Sequence, residues 1–297
     1  MFKSGFIGII GRPNVGKSTL LNSLIGEQIA IATHKPQTTR NRIMGIRNME
    51  EGQLIFLDTP GIHKPETLLN RYMVDTALHT FGDSDLLLMV VEAGAGCRED
   101  DQLILNSLKE IKTPVILTVN KIDLVEKTAL LPLFDRFRNL FPFAAIIPVS
   151  ALKNQGLPVL LDEALKHLPE GPRYFPEDVL TDRSERFIAA EIIREKVILN
   201  VRQEIPYTMA VVVDSFKEAE GNNLLRIQAS ILVEKDSHKG ILIGRKGAML
   251  KQIGTESRLS LEKFFAVRVY LGLFVKVRKD WTKDAQALKE FGYGEKL

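Results

Sequence analysis

Residues 11 to 18 read Gly11-Arg12-Pro13-Asn14-Val15-Gly16-Lys17-Ser18, between an apolar run (Phe6 to Ile10) and a helix-like stretch (Thr19 to Ile25). A strand that turns through glycines into a helix points successive backbone N–H groups at one spot, the geometry of a polyphosphate cradle. Gly11, Asn14, Val15, Gly16 and Thr19 belong to that cradle. Lys17 reaches the β- and γ-phosphates, and the Ser18 hydroxyl ligates Mg²⁺.

The strand-loop-helix unit repeats as an alternation. Short apolar runs at Phe6 to Ile10, Arg42 to Ile46, Leu54 to Leu57, Leu86 to Val91, Val115 to Val119 and Ala145 to Val149 are separated by helix-like segments. This predicts an α/β domain over residues 1–168 with a six-stranded sheet. Only Asn48 to Gly52 separates the second run from the third, too short for a crossover helix, so these two pair antiparallel and the sheet is mixed. Ligands then belong at the carboxyl ends of the parallel strands.

Pro169-Glu170-Gly171-Pro172, followed by Pro176, breaks the pattern and predicts a linker over 169–180. A second, α+β unit covers 181–297. Asp182 or Ser184 caps an amphipathic helix that Pro206 ends, and strands follow at Thr208 to Phe216 and Asn223 to Val233. A glycine-containing loop, a helix to about Phe265 and a strand from Val267 to Val277 complete the order α-β-β-α-α-β.

A chain of 297 residues, 45% apolar and 26% charged, supports two globular cores. One cysteine, Cys97, excludes an internal disulfide, and no apolar run approaches the roughly 20 residues of a membrane span. The N-terminus leads into a strand rather than a signal sequence, so the cytoplasm is the expected compartment. The net charge of +3 conceals a basic second half, sharpest from Lys239 to Lys279, where ten basic residues face only Glu256 and Glu262. A polyanion is the expected partner, against the alternative of a merely solvated basic face.

Three further segments refine the nucleotide. Asp58-Thr59-Pro60-Gly61 follows the third strand, where the carboxylate holds Mg²⁺ through water and the Gly61 N–H reaches a γ-phosphate. Asn120-Lys121-Ile122-Asp123 follows the fifth strand. The Asp123 carboxylate accepts from the ring N–H and exocyclic amine of guanine, a donor pair that adenine lacks, so GTP and GDP are the expected ligands. Ser150-Ala151-Leu152, after the sixth strand, offers a backbone N–H to the guanine carbonyl.

These four elements, in this order on these strand ends, resemble the translation-factor-related GTPases over the first 168 residues. Lys35-Pro36-Gln37-Thr38-Thr39-Arg40 resembles the first switch of the branch containing Era, MnmE and EngA, where the resemblance makes Thr39 a Mg²⁺ ligand in the GTP state. Lys17, Thr39, Asp58 and Gly61 are then the catalytic set. Ile62 stands where Ras-like enzymes place a water-orienting glutamine, and isoleucine cannot do that. In the resembling branch a K⁺ ion supplies positive charge at the phosphates, held partly by an asparagine in the phosphate loop. Asn14 fills that position, with a tight-turn role as its alternative, and His63 is expected to be an exposed switch residue rather than a base.

In the second unit, Gly244-Arg245-Lys246-Gly247 is a G-x-x-G loop flanked by Ile241, Ile243 and a following helix that carries Leu250 and Lys251. Such a loop lets a nucleic-acid backbone approach helix N-terminal amides and two cations, while the apolar groove beside it reads single-stranded bases. The segment looks like a KH domain of the prokaryotic, type II strand order.

A GTPase joined to a KH domain is the arrangement of the Era family, and the likeness runs nearly end to end, through Tyr174 to Asp178 and Val275 to Trp281. The resemblance implies binding near the 3′ end of small-subunit (16S) ribosomal RNA, a role in assembling that subunit, and loose association with the inner membrane face. A monomer is expected. The competing reading is an RNA-binding assembly factor whose nucleotide site is structural and barely turns over. An RNA-modifying enzyme finds no further catalytic constellation, since the five histidines are scattered.

Overall fold

The computed structural model describes residues 1–219 and 223–293. The last four residues of the expected second domain, and three in its first hairpin, lie outside the described residues. The chain divides into two compact units, Met1–Glu66 with Asn70–Asp182, and Arg183–Leu297 with the short stretch Thr67–Leu69.

The first unit runs β1 (Lys3–Ile10), α1 (Lys17–Ile25), β2 (Ile43–Met49), β3 (Gly52–Asp58), α2 (Leu68–Gly82), β4 (Leu86–Glu92), α3 (Glu99–Leu108), β5 (Val115–Asn120), α4 (Leu130–Arg138), β6 (Ala145–Pro148) and α5 (Leu157–His167). Its sheet order is β2-β3-β1-β4-β5-β6. Every neighbouring pair is parallel except β2 with β3, whose register closes at Met49 opposite Gly52. The expected mixed six-stranded sheet is observed. β4 and β5 read as continuous apolar runs because they are central and covered on both faces.

Residues 169–180, expected to be a linker, are hydrogen-bonded along the first unit. Pro169 O accepts from Ser4 N–H, Phe2 O accepts from Gly171 N–H, and Leu180 O accepts from Ile46 N–H on the edge strand β2. Gln53, fully buried, anchors the segment: its Oε1 accepts from the N–H groups of Tyr174 and Phe175 and its Nε2 donates to Phe175 O. Prolines that exclude helix and sheet do not exclude docking. The amide of Gln53 supplies the bonds that a proline-rich strip lacks.

The second unit runs α6 (Glu185–Asn200), β7 (Met209–Ala219), β8 (Leu224–Val233), α7 (Asp236–Ile243), α8 (Ala248–Phe265), β9 (Arg268–Val277) and α9 (Ala285–Glu290). Its sheet order is β7-β8-β9, with β7 antiparallel and β9 parallel to β8. Ser184 caps α6 by accepting from Phe187 N–H at 3.3 Å, so of the two expected caps the structure uses the serine. Alternate residues of all three strands (Val211, Ile227, Ile231, Val269, Val275) join Ile193, Val197, Ile253 and Leu261 of the helices in one core. The short α9, which sequence reading missed, carries Tyr293 and Phe291 back onto buried Trp281.

Candidate active site and nucleic-acid interface

The phosphate loop is held from three sides. Gly16 has φ 97°, and a Cβ there would lie 2.4 Å from Asn120 Nδ2, so backbone conformation and space both demand glycine. Asn120 Nδ2 donates to Val15 O at 2.9 Å, while its Oδ1 accepts from Ala151 N–H at 3.0 Å. Both ends of the Asn120 amide are therefore engaged with protein. Asn120, expected to bind guanine, is a buried strut between the phosphate loop and the Ser150-Ala151-Leu152 turn, the turn expected at the guanine carbonyl.

Lys121 has φ 63° and reaches back, its Nζ donating to Asn14 O at 2.8 Å and standing 3.3 Å from Glu92 Oε2. Asp123 is exposed on the following turn, and its Oδ1 accepts from Ser150 Oγ at 2.6 Å. That bond orients the carboxylate. Leu152 is largely exposed at the same end of the sheet.

Ser18, Thr39 and Asp58 meet. Ser18 Oγ donates to Asp58 Oδ2 at 2.7 Å, and Thr39 Oγ1 lies 2.7 Å from Ser18 Oγ. Asp58 Oδ1 is buried without a hydrogen-bond partner among the described residues. Hard oxygen donors around an unsatisfied carboxylate oxygen fit Mg²⁺. Lys17 Nζ donates to the carbonyls of Gly11 and Arg12 at 2.9 and 3.0 Å. Burial lowers its pKa to about 8, and burial raises that of Asp58 to about 6, each opposed by the other's charge. Thr19, Thr33, Thr38 and Gly61 join Lys17, Ser18 and Thr39 around one cleft.

Ile62 is only 6% exposed and packs with Ile10, Ala77, Phe81 and Met89, so its side chain points away from the cleft. His63 is half-buried rather than exposed. One ring nitrogen lies 2.8 Å from Gly61 O and the other 3.3 Å from Gln37 Nε2, linking the two switch segments.

Sequence reading missed a buried ion network behind the loop. Arg12 Nη2 lies 3.3 Å from Glu92 Oε2 and Arg12 Nε 3.5 Å from Asp101 Oδ2. Glu92 thereby couples Arg12 to Lys121. The signal was present in an arginine inside the loop, but its two carboxylates come from β4 and α3, 80 or more residues away.

In the second unit, Gly244 has φ 72° and ψ 176°, and its missing Cβ leaves room for Met249, where a side chain would come within 2.9 Å of backbone. Lys246 adopts φ 52° and ψ 30°. Arg245 and Lys246 thus project from a tight exposed turn ahead of α8. Gly247, Leu250, Lys251, Gly254, Thr255, Arg258, Leu271 and Leu273 line a groove beside it. Ile241 is half-exposed on α7, whereas Ile243 packs against the core. Sequence reading did not find Arg258, Leu271 and Leu273, which come to the groove only through the packing of α8 against β9.

The family model described as 50S ribosome-binding GTPase matches residues 6–121, and the KH domain model matches 204–282. Fold and site define a phosphate-loop GTPase joined to a type II KH domain. The chain is 65% identical to GTPase Era of Syntrophus aciditrophicus, over 99% of this chain and 96% of the relative, and 53% identical to GTPase Era of Geobacter metallireducens, over 98% of each. It superposes with a TM-score of 0.97 and 41% identity on Era in complex with MgGDPNP and nucleotides 1506–1542 of 16S ribosomal RNA, covering 99% of this chain and all of that one. A point variant of Aquifex aeolicus Era bound to GDP.AlF4⁻ gives 0.96 and 42%, with the same coverage. The chain belongs to the Era family of GTPases.

Proposed function

We propose that this chain is a GTP-driven switch that binds the 3′ segment of small-subunit ribosomal RNA through its KH groove and serves assembly of that subunit. The observation that carries the reading is the meeting of Ser18, Thr39 and Asp58 beside the phosphate loop in a family member that also carries a basic G-x-x-G loop. Likeness to Era solved with MgGDPNP and a 16S ribosomal RNA segment supports both ligands. Residues 1–168 bind nucleotide, 181–297 bind RNA, and 169–180 join them.

In this reading Asp123 selects guanine, and Asn120 and Lys121 hold the loop that takes the phosphates. Ser18 and Thr39 hold Mg²⁺ with Asp58 beside them, and the metal when bound withdraws charge from the phosphates. The Gly61 N–H and Lys17 detect the third phosphate. Ordering of the segments around Thr39 and Gly61 then favours the RNA-binding state, and hydrolysis releases it. Asn14 supplies a K⁺ ligand. Its φ of 64° suits an asparagine, and no hydrogen bond occupies its side chain among the described residues.

Linkage makes the coupling reciprocal: RNA that prefers the GTP form must tighten GTP binding by the same factor. Equal RNA affinities with GDP and a non-hydrolysable GTP analogue sink the switch. The second reading, a structural nucleotide site, draws on the inward-facing Ile62, and phosphate release measured with and without K⁺ and RNA separates the two. Arg245→Asp with Lys246→Asp abolishes RNA binding and leaves GTP affinity intact. The chain acts as a monomer in the cytoplasm, and any membrane association is peripheral. No helix among the described residues is long and apolar enough to cross a membrane. Flotation with anionic vesicles and sedimentation equilibrium test these last two points.

A further inference from the structure

The sheet of the second unit has two faces: one packs on the helical core, and the other is buried at Ala210, Ser230 and Leu232 but open along β9 and around Arg226. On β9 the alternation is clear: Val269, Leu271, Leu273, Val275 and Val277 face the core, so Tyr270, Gly272, Phe274 and Lys276 face the other way. Tyr270 is 59% and Phe274 52% exposed, unusual for two large aromatics on one strand.

Their neighbours are cationic. Arg226 is in register with Tyr270, its guanidinium 5.9 Å from the ring centroid, and Lys217 of β7 is in register with Arg226. Arg268 and Lys276 extend the row along β9, and all four side chains are exposed. Asp214, in the bulge of β7 beside this face, accepts from Ser230 Oγ at 2.6 Å. Gly272 lies between the rings. The nearest atoms to a Cβ there are Gln228 Cγ at 3.7 Å and, at 3.9 Å, Ile227 O and the Phe274 ring, ordinary contacts, so packing does not demand glycine. Glycine in a strand interior marks a place where another group comes close.

We propose that this face is a second RNA platform, on which single-stranded nucleotides flanking those in the KH groove stack on Tyr270 and Phe274. Aromatic rings set among cations are the chemistry of sequence-tolerant single-strand binding, rings taking base faces and cations taking phosphates. The platform is continuous with the groove: β9 is an edge strand whose Leu271 and Leu273 line the groove while its alternate residues carry the rings. A strand leaving the groove rounds that edge without a gap. The inference rests on the RNA-binding reading above.

The test uses the full chain and two RNAs from the 3′ segment of small-subunit ribosomal RNA, one of about five nucleotides to fill the groove alone and one of about twelve. Tyr270→Leu with Phe274→Leu lowers affinity for the longer RNA at least tenfold and leaves the shorter unchanged. Gly272→Val, which the strand accommodates, crowds the gap and weakens the longer RNA in the same way. In Phe274→Trp the added emission is quenched by the longer RNA only. Unchanged affinity for the longer RNA, or equal loss on both, overturns the platform. So does loss of anionic-vesicle binding with RNA binding intact, which assigns the face to a membrane. Failure of the wild type to bind either RNA defeats the KH reading itself and the platform with it.

Discussion

Asn120 Nδ2 donates to the carbonyl oxygen of Val15 at 2.9 Å, joining the end of β5 to the phosphate loop across 105 residues of sequence. The same amide holds Ala151 N–H. The phosphate loop and the Ser150-Ala151-Leu152 turn are therefore one mechanical unit.

Replacing Asn120 by alanine leaves a buried carbonyl and a buried N–H unpaired. The expected cost is about 2 kcal/mol of stability and at least tenfold in affinity for GDP and GTP alike. Titration calorimetry and thermal melting read both. A loss confined to GTP contradicts the strut role.

Nucleotide affinity is bell-shaped in pH. Binding needs Asp58 as carboxylate and Lys17 as ammonium, and in the free protein these titrate at about 6 and about 8. Below pH 6 the free protein holds a proton on Asp58 that Mg²⁺ must displace. Above pH 8 it lacks the Lys17 proton that the phosphates need. Affinity for MgGTP therefore falls on either side of the window from about 6 to about 8, and calorimetry in buffers of different ionisation enthalpy shows proton release at the acid edge and uptake at the alkaline one. An affinity that is flat from about pH 5 to about pH 9 refutes this.

Ile62→Gln does not create a Ras-like water positioner. The side chain enters the core beside Phe81 and Met89 rather than the cleft, so the amide is buried without partners at a cost of about 1 to 3 kcal/mol. A lowered melting temperature without faster phosphate release is the expected pair of results. Accelerated turnover means that the second switch turns Ile62 outward.

Asn14→Gly separates the two roles of the loop asparagine, because glycine keeps φ near 64° at no strain but offers no side-chain oxygen. Turnover in K⁺ falls to the level seen in Na⁺, with GDP affinity unchanged. If K⁺ stimulation persists, Asn14 serves the turn alone.

Much of this was legible before any coordinates. All six strands of the first unit and the antiparallel hairpin were readable because a buried parallel strand must be a short apolar run and so brief a connection cannot hold a crossover helix. The docking of residues 169–180 was not legible, because proline reports what a backbone cannot form, while the bonds that dock the segment come from Gln53, 121 residues before Tyr174.

Sequence by itself determined the GTPase class and the order of a GTPase unit followed by a KH unit, since glycine spacing and the chemistry of a side chain are local properties. Only the tertiary structure decided which groups meet: Ser18 with Asp58, Arg12 with Glu92 and Asp101, Leu273 with Lys251 in one groove. It also turned Ile62 inward and left Tyr270 and Phe274 outward. Local pattern names the residue, but burial and partnership are set by chain segments that packing alone brings within reach.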